Sequence, residues 1–303
     1  MTLEAHTHFL NVETPEGPRR IAWECWHAHG MEQAPVLICV HGLTRNRHDF
    51  DLIAKAMSDH YRVVTVDILG RGDSDRLTAP EHYGYPLYIS QMLQLLKHIA
   101  EATGEQRFDW LGTSMGGLIG MMLAAREESP IRRLVLNDVG PVIPGAALGR
   151  IGARVGEDPR FKNLQEAAEY FKDVYADFGI PDDLGWSDLT LHSAIRQENG
   201  TYALHYDPAI GDVFTEDMAD VKLWDVWDNV RCPTLVLRGE NSDVLTRETA
   251  ERMTRSGPKA ELVELPGVGH APALMTEDQI KVVHDWLRSF DEEDEEDSAT
   301  DAG

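Results

Sequence analysis

At 303 residues the chain is long enough for one large α/β domain with an insertion, or for two modest domains. Its net charge of -24 argues against nucleic acid and anionic membrane surfaces as partners. Cys25, Cys39 and Cys232 are scattered without a CxxC pair, so they read as buried thiols rather than a disulfide scaffold or a metal site.

The chain opens "MTLEAHTHFLNVETPEG", without a basic start followed by an apolar core, and no signal peptide is expected. No apolar run reaches the length of a membrane span, so the expected location is cytoplasmic. His6–Val12 and Arg20–His27 read as two strands around the turn "ETPEGP". Val36–Val40 is a short, unalternating apolar strand, and Phe50–Met57 a short helix. Val63–Val66 is the next strand, entering the Gly-rich loop "DILGRGDSD" at Asp67. Tyr88–Thr103 reads as a helix, with Met92, Leu95, Leu96 and Ile99 on one face. Phe108–Gly112 is a strand, and Met115–Arg126 a helix apolar nearly all round. Further strands follow in "IRRLVLNDVG", at Pro233–Gly239 and in "AELVELPGVGHAP", and Ile280–Phe290 is an amphipathic closing helix. Residues 291–303, "DEEDEEDSATDAG", have nothing to bury and are expected to be a disordered acidic tail.

Apolar strands separated by helices predict a mainly parallel sheet covered on both faces. Residues 1–140 and 221–290 would form this core. The rhythm breaks over 141–220, which is rich in charges and aromatics. Helical patches at Leu164–Asp177 and Ser187–Glu198, with no buried strand between them, predict a helical cap. Its aromatics Tyr170, Phe171, Tyr175, Phe178 and Trp186 either line a substrate cleft or pack the cap onto the core. No apolar seam reveals an oligomeric state.

Within "FDWLGTSMGGLIGMMLAA", residues Gly112-Thr113-Ser114-Met115-Gly116 fit Gly-x-Ser-x-Gly between a strand and a buried helix. Small residues two before and two after let the chain turn sharply and expose the serine hydroxyl. Ser114 is therefore the candidate nucleophile. His270, in the Gly/Pro loop after the last strand, is the candidate base. Asp243 in "LVLRGENSDVL" is the favoured orienting acid; Asp138, which ends the preceding strand in "LVLNDVGP", competes with it. The backbone N–H groups of Leu43, in "HGLTRN", and Met115 are candidate oxyanion donors. His41 is expected to order that loop. Arg45, Val142, Val244 and Ala271 are candidate pocket residues, with Arg45 suited to a substrate carboxylate or to a surface ion pair.

The order Ser114, Asp243, His270, with "HGL", "DILGRGDSD" and "GTSMGG", resembles the lid-bearing, carboxylesterase-like branch of the alpha/beta-hydrolase superfamily. The resemblance covers roughly residues 36–290. It implies an eight-stranded, mostly parallel sheet with a cap between strands six and seven, and acyl transfer from a small-molecule ester to water. It also implies a structural role for Asp67 and Gly70–Ser74. No cofactor or metal is expected: His48, Asp49 and Asp51 form no familiar ligand spacing, and "GRGDS" is no dinucleotide fingerprint. Fold alone does not choose among carboxylesterase, carbon–carbon bond hydrolase, lactonase and thioesterase, and a ligand-binding receptor is the non-enzymatic rival. A serine at the elbow disfavours the aspartate-nucleophile dehalogenases and epoxide hydrolases of the same frame.

Overall fold

The structure, a computed structural model, describes residues 3–214 and 218–300. Residues 215–217 of the expected cap and 301–303 of the expected tail lie outside the described residues.

Eight strands form the central sheet: β1 (Leu3–Val12), β2 (Arg19–Ala28), β3 (Val36–Val40), β4 (Arg62–Val66), β5 (Phe108–Thr113), β6 (Ile131–Asn137), β7 (Thr234–Gly239) and β8 (Glu261–Leu265). Their spatial order is β1-β2-β4-β3-β5-β6-β7-β8. The β1–β2 hairpin and the β2–β4 pair are antiparallel, and every pair from β4 to β8 is parallel. β3 and β4 are buried at every position, which explains their unalternating sequences: helices cover both faces.

The helices around the sheet are α1 (Asp51–Met57), α2 (Tyr85–Thr103) and α3 (Met115–Ala124), and later α7 (Trp224–Trp227), α8 (Arg247–Met253) and α9 (Glu277–Thr300). α2 starts three residues before the sequence expectation because Pro86 fits a first helical turn, and it buries Met92, Leu95, Leu96 and Ile99 as their spacing requires. α9 runs on past Phe290 into the expected tail; no Gly or Pro stands in 291–300 to stop it.

The cap leaves after β6 and returns before β7, the sixth and seventh strands of the sheet. It contains α4 (Gly145–Val155), α5 (Leu164–Val174) and α6 (Asp183–Ser193). Its strand content departs from the sequence expectation. Arg160–Phe161, Ala194–Arg196 and Tyr202–Leu204 form a three-stranded sheet, and Val142–Ile143 pairs with Val221–Lys222. The expected helix at Ser187–Glu198 therefore lies earlier. It is set by Asp182, whose carboxylate accepts the Gly185 N–H at 2.8 Å as an N-cap.

Candidate active site

Three backbone devices place the serine. β5 ends at Thr113, α3 begins at Met115, and Ser114 between them has φ 50° and ψ -112°. Such a conformation costs on the order of 1–3 kcal/mol and persists only where its surroundings hold it. A Cβ on Gly112 would overlap the Gly116 carbonyl, and one on Gly116 would overlap the Val40 carbonyl, so the elbow tolerates only glycine at both positions. The Ser114 N–H donates to the Asn137 carbonyl at 3.0 Å, and the Asn137 side chain donates to Thr113 Oγ1 and to the Pro272 carbonyl. Asn137 thus ties the elbow to the loop that carries His270.

Ser114 Oγ lies 2.9 Å from His270 Nε2. His270 Nδ1 lies 2.8 Å from Asp138 Oδ2. Asp138 is fully buried. Its Oδ2 also accepts the Ser242 hydroxyl at 2.6 Å, and its Oδ1 the Gly239 N–H at 2.8 Å. Three donors compensate the desolvated carboxylate and fix its orientation.

Asp243, the acid favoured from sequence, is not at this histidine. Ser242 turns its hydroxyl inward to Asp138, and the next side chain leaves on the solvent side, where Arg150 of α4 grips Asp243 through bonds of 2.7 and 2.8 Å. The Asp243 side chain is 49% exposed against 0% for Asp138. The Asp243 carboxylate holds the Arg150 guanidinium above its ordinary pKa. The useful signal in the sequence was adjacency: Asp138 follows β6, which pairs directly with the serine-bearing β5.

The loop that carries Leu43 is held from two sides. His41 is fully buried; its Nδ1 bonds the Gly42 carbonyl at 2.7 Å and its Nε2 accepts the Ile68 N–H at 3.0 Å, which defines one neutral tautomer. Burial pulls its pKa down to about 3. Arg71, within the Gly70–Ser74 stretch expected to be structural, is also fully buried. It donates to the Leu43 carbonyl at 2.9 Å, to the Leu69 carbonyl and to the Tyr88 hydroxyl, and its guanidinium also contacts Met115 Sδ. The Leu43 and Met115 backbone N–H groups donate to no group among the described residues. Asp67 holds the same region together: it accepts the Arg47 and Asp73 N–H groups and pairs with the Arg47 guanidinium.

Ser114 and His270 open on a cavity of about 530 Å³ between sheet edge and cap. Leu43, Met115, Val244 and Ala271 line it, as expected from their loops. Val142 does not; Ile143 does, together with its cross-strand partner Val221, because neighbouring strand residues face opposite ways. Of the cap aromatics, Tyr170, Tyr175 and Phe178 line the cavity, whereas Phe171 is buried within the cap and Trp186 sits beside Lys172. Arg45 is in the wall but already committed: Asp49 takes its Nε and Nη2, Ser193 takes its Nη1, and it lies over the Tyr175 ring. Two further cations, Arg150 and Arg154, line the wall one helical turn apart on α4.

Residues 37–285 match the alpha/beta hydrolase family. The chain belongs to this family. It is 38% identical to a 3-hydroxybutyrate-oligomer hydrolase of Cupriavidus necator, over 93% of this chain and 97% of that one. A crystal structure from Rickettsia typhi superposes with a TM-score of 0.83 at 34% identity, covering 95% of this chain and 99% of its own. An alpha/beta hydrolase from Novosphingobium aromaticivorans gives 0.82 at 32% identity, covering 94% and 98%. This hydrolase is an enzyme acting on carboxylic esters, with the fold and cap of the esterase-like branch. No helix among its described residues is long and apolar enough to cross a membrane. Outside the cavity, the hydrolase brings His48, Asp51 and His192 together, a grouping whose last member lies too far along the chain for spacing to reveal.

Proposed function

We propose that Ser114, His270 and Asp138 are the catalytic relay, and that the substrate is a short ester carrying a free carboxylate, of the hydroxyacid-oligomer class. The observation that carries this reading is the unbroken line of hydrogen bonds from Ser114 through His270 to Asp138 at the cavity. His270 Nε2 accepts the Ser114 proton as Oγ attacks the ester carbonyl. The Leu43 and Met115 N–H groups receive the developing oxyanion. His270 then passes the proton to the departing alkoxide, and water attacks the acyl-enzyme with His270 again as base. Asp138 keeps Nδ1 protonated and offsets the imidazolium charge throughout.

The substrate class rests on three supports. The cavity has room for a few hydroxyacid units, not for a polymer. Its wall is apolar apart from a few polar and cationic groups, of which Arg150 and Arg154 pair with the exposed carboxylates Asp243 and Asp173 and can exchange those partners for a substrate carboxylate. A relative similar over nearly its whole length is named for hydroxybutyrate oligomers. Arg45, the other cation in the wall, is buried against Asp49, whose carboxylate neutralises it in place.

The test is turnover of 3-hydroxybutyrate dimer and trimer, of their methyl-capped esters, and of p-nitrophenyl esters of rising acyl length, with Ser114→Ala alongside. Uncapped oligomers are expected to show the highest kcat/KM, and Ser114→Ala to lose about 10⁴–10⁶ of kcat. Preference for capped over free oligomers would overturn the substrate class; activity surviving Ser114→Ala would overturn the nucleophile.

A further inference from the structure

A group of side chains outside the cavity has the composition of a metal site. His48 sits in the turn Arg47–Phe50 that follows the oxyanion loop, and Asp51 opens α1; both belong to the core. His192 lies near the end of α6 in the cap. One ligand atom from each of the three falls within 4.8 Å of the others. The two imidazoles stack with centroids 3.8 Å apart and planes 23° apart. Asp51 Oδ2 is 2.9 Å from His48 Nδ1, and a fourth donor atom, Asp188 Oδ1, is 3.5 Å from His192 Nε2.

The second observation is a missing partner. Asp51 Oδ1 is buried and has no hydrogen-bond donor among the described residues. An unpaired buried carboxylate oxygen is costly, and a cation held by the Asp51 carboxylate would compensate it. The frame around the group is already fixed. Asn46 Nδ2 and His205 Nδ1 both bond the His192 carbonyl, and Arg45 Nη1 donates to Ser193 next to it. Two imidazole nitrogens and one or two carboxylate oxygens are a zinc-class donor set. In a tetrahedral zinc site the donors stand about 3.3 Å apart, so rotamer shifts of roughly 1 Å would complete it.

We propose that His48, Asp51 and His192, with Asp188 within reach, form a site for a divalent transition-metal ion of the zinc class. The bound ion would fasten α6 of the cap to the core beside the oxyanion loop. Nothing in the ester chemistry requires it, so the proposal stands apart from the catalytic reading.

The experiment is calorimetric titration of Zn²⁺ into chelator-treated full-length protein, with thermal melting in parallel. Wild type, His48→Gln, His192→Gln and His270→Gln are compared, the last because an active-site imidazole can also take zinc. One site per chain is expected in wild type and His270→Gln, with affinity lowered at least tenfold in both His48→Gln and His192→Gln. Zn²⁺ should raise the melting midpoint of wild type and not that of His192→Gln. Metal-free ester turnover by the two His→Gln variants checks that each has folded. No stoichiometric binding by wild type, or equal binding by folded His48→Gln or His192→Gln, would overturn the site; loss of binding in His270→Gln alone would move the ion to the catalytic centre.

Discussion

The carboxyl edge of the sheet and the cap that faces it treat polar groups in opposite ways. At the edge, buried polar side chains are tied to backbone or to one another: Asp138 to Gly239, Ser242 and His270; Asn137, through its NH2 group, to Thr113 and Pro272; His41 to Gly42 and Ile68. On the cap, charged side chains pair at the surface, as Arg154 does with Asp173 and Arg150 with the core loop at Asp243. A buried hydrogen bond left half-made costs about 1–3 kcal/mol, whereas an exposed pair contributes about 0–1 kcal/mol. The edge is therefore built to hold one geometry, and the wall opposite it can vary at little energetic cost.

The contrast can be broken most forcefully at the elbow. Gly116→Ala would drive a methyl group into the Val40 and His41 carbonyls, backbone that cannot swing aside. A loss of about 3 kcal/mol or more in denaturant unfolding is expected. A near-neutral result would mean that the edge is softer than its contacts imply.

His41 gives a pH-dependent version of the same test. It stays neutral in the fold, with its pKa pulled by burial from 6.5 to about 3, while the unfolded chain takes up the proton near 6.5. The unfolded state therefore binds more protons between those values. The stabilisation is full above about pH 6.5 and falls by about 1.4 kcal/mol per pH unit as the pH drops toward 3. Stability measured from about pH 6 to 4 should fall less steeply in His41→Gln than in wild type, by roughly that slope.

The smallest effect belongs to the cap. Arg150→Gln removes one wall cation and the exposed pair with Asp243. KM for free-acid oligomers should rise about three- to tenfold, with methyl-capped esters and global stability little changed.

Much of this was legible in the sequence where one local pattern decides the outcome. Unalternating apolar runs gave the parallel strands, and glycines flanking Ser114 gave the elbow. "HGL" pointed to the loop at Leu43, and a Gly/Pro loop after the last strand pointed to His270. What the sequence concealed depended on three-dimensional neighbours. Asp138 and Asp243 both follow strands, and their positions relative to His270 part because Ser242 turns inward while Arg150 draws Asp243 out. Val142 and Ile143 differ by one strand position, and pairing with Val221 decides which faces the cavity. The resemblance implied a structural role for Gly70–Ser74, but only the fold shows that Arg71 fills it, by reaching the Leu43 carbonyl and Tyr88. The short cap strands were hidden because two- or three-residue pairings leave no periodicity to read.

The most direct measurement compares kcat of Asp138→Asn and Asp243→Asn on one ester that wild type turns over well. The buried carboxylate on His270 Nδ1 should lower kcat by about 10³–10⁴ when neutralised, with KM within a few-fold, and the exposed one by less than about tenfold. A collapse of activity in Asp243→Asn, with Asp138→Asn still near wild type, would contradict the relay.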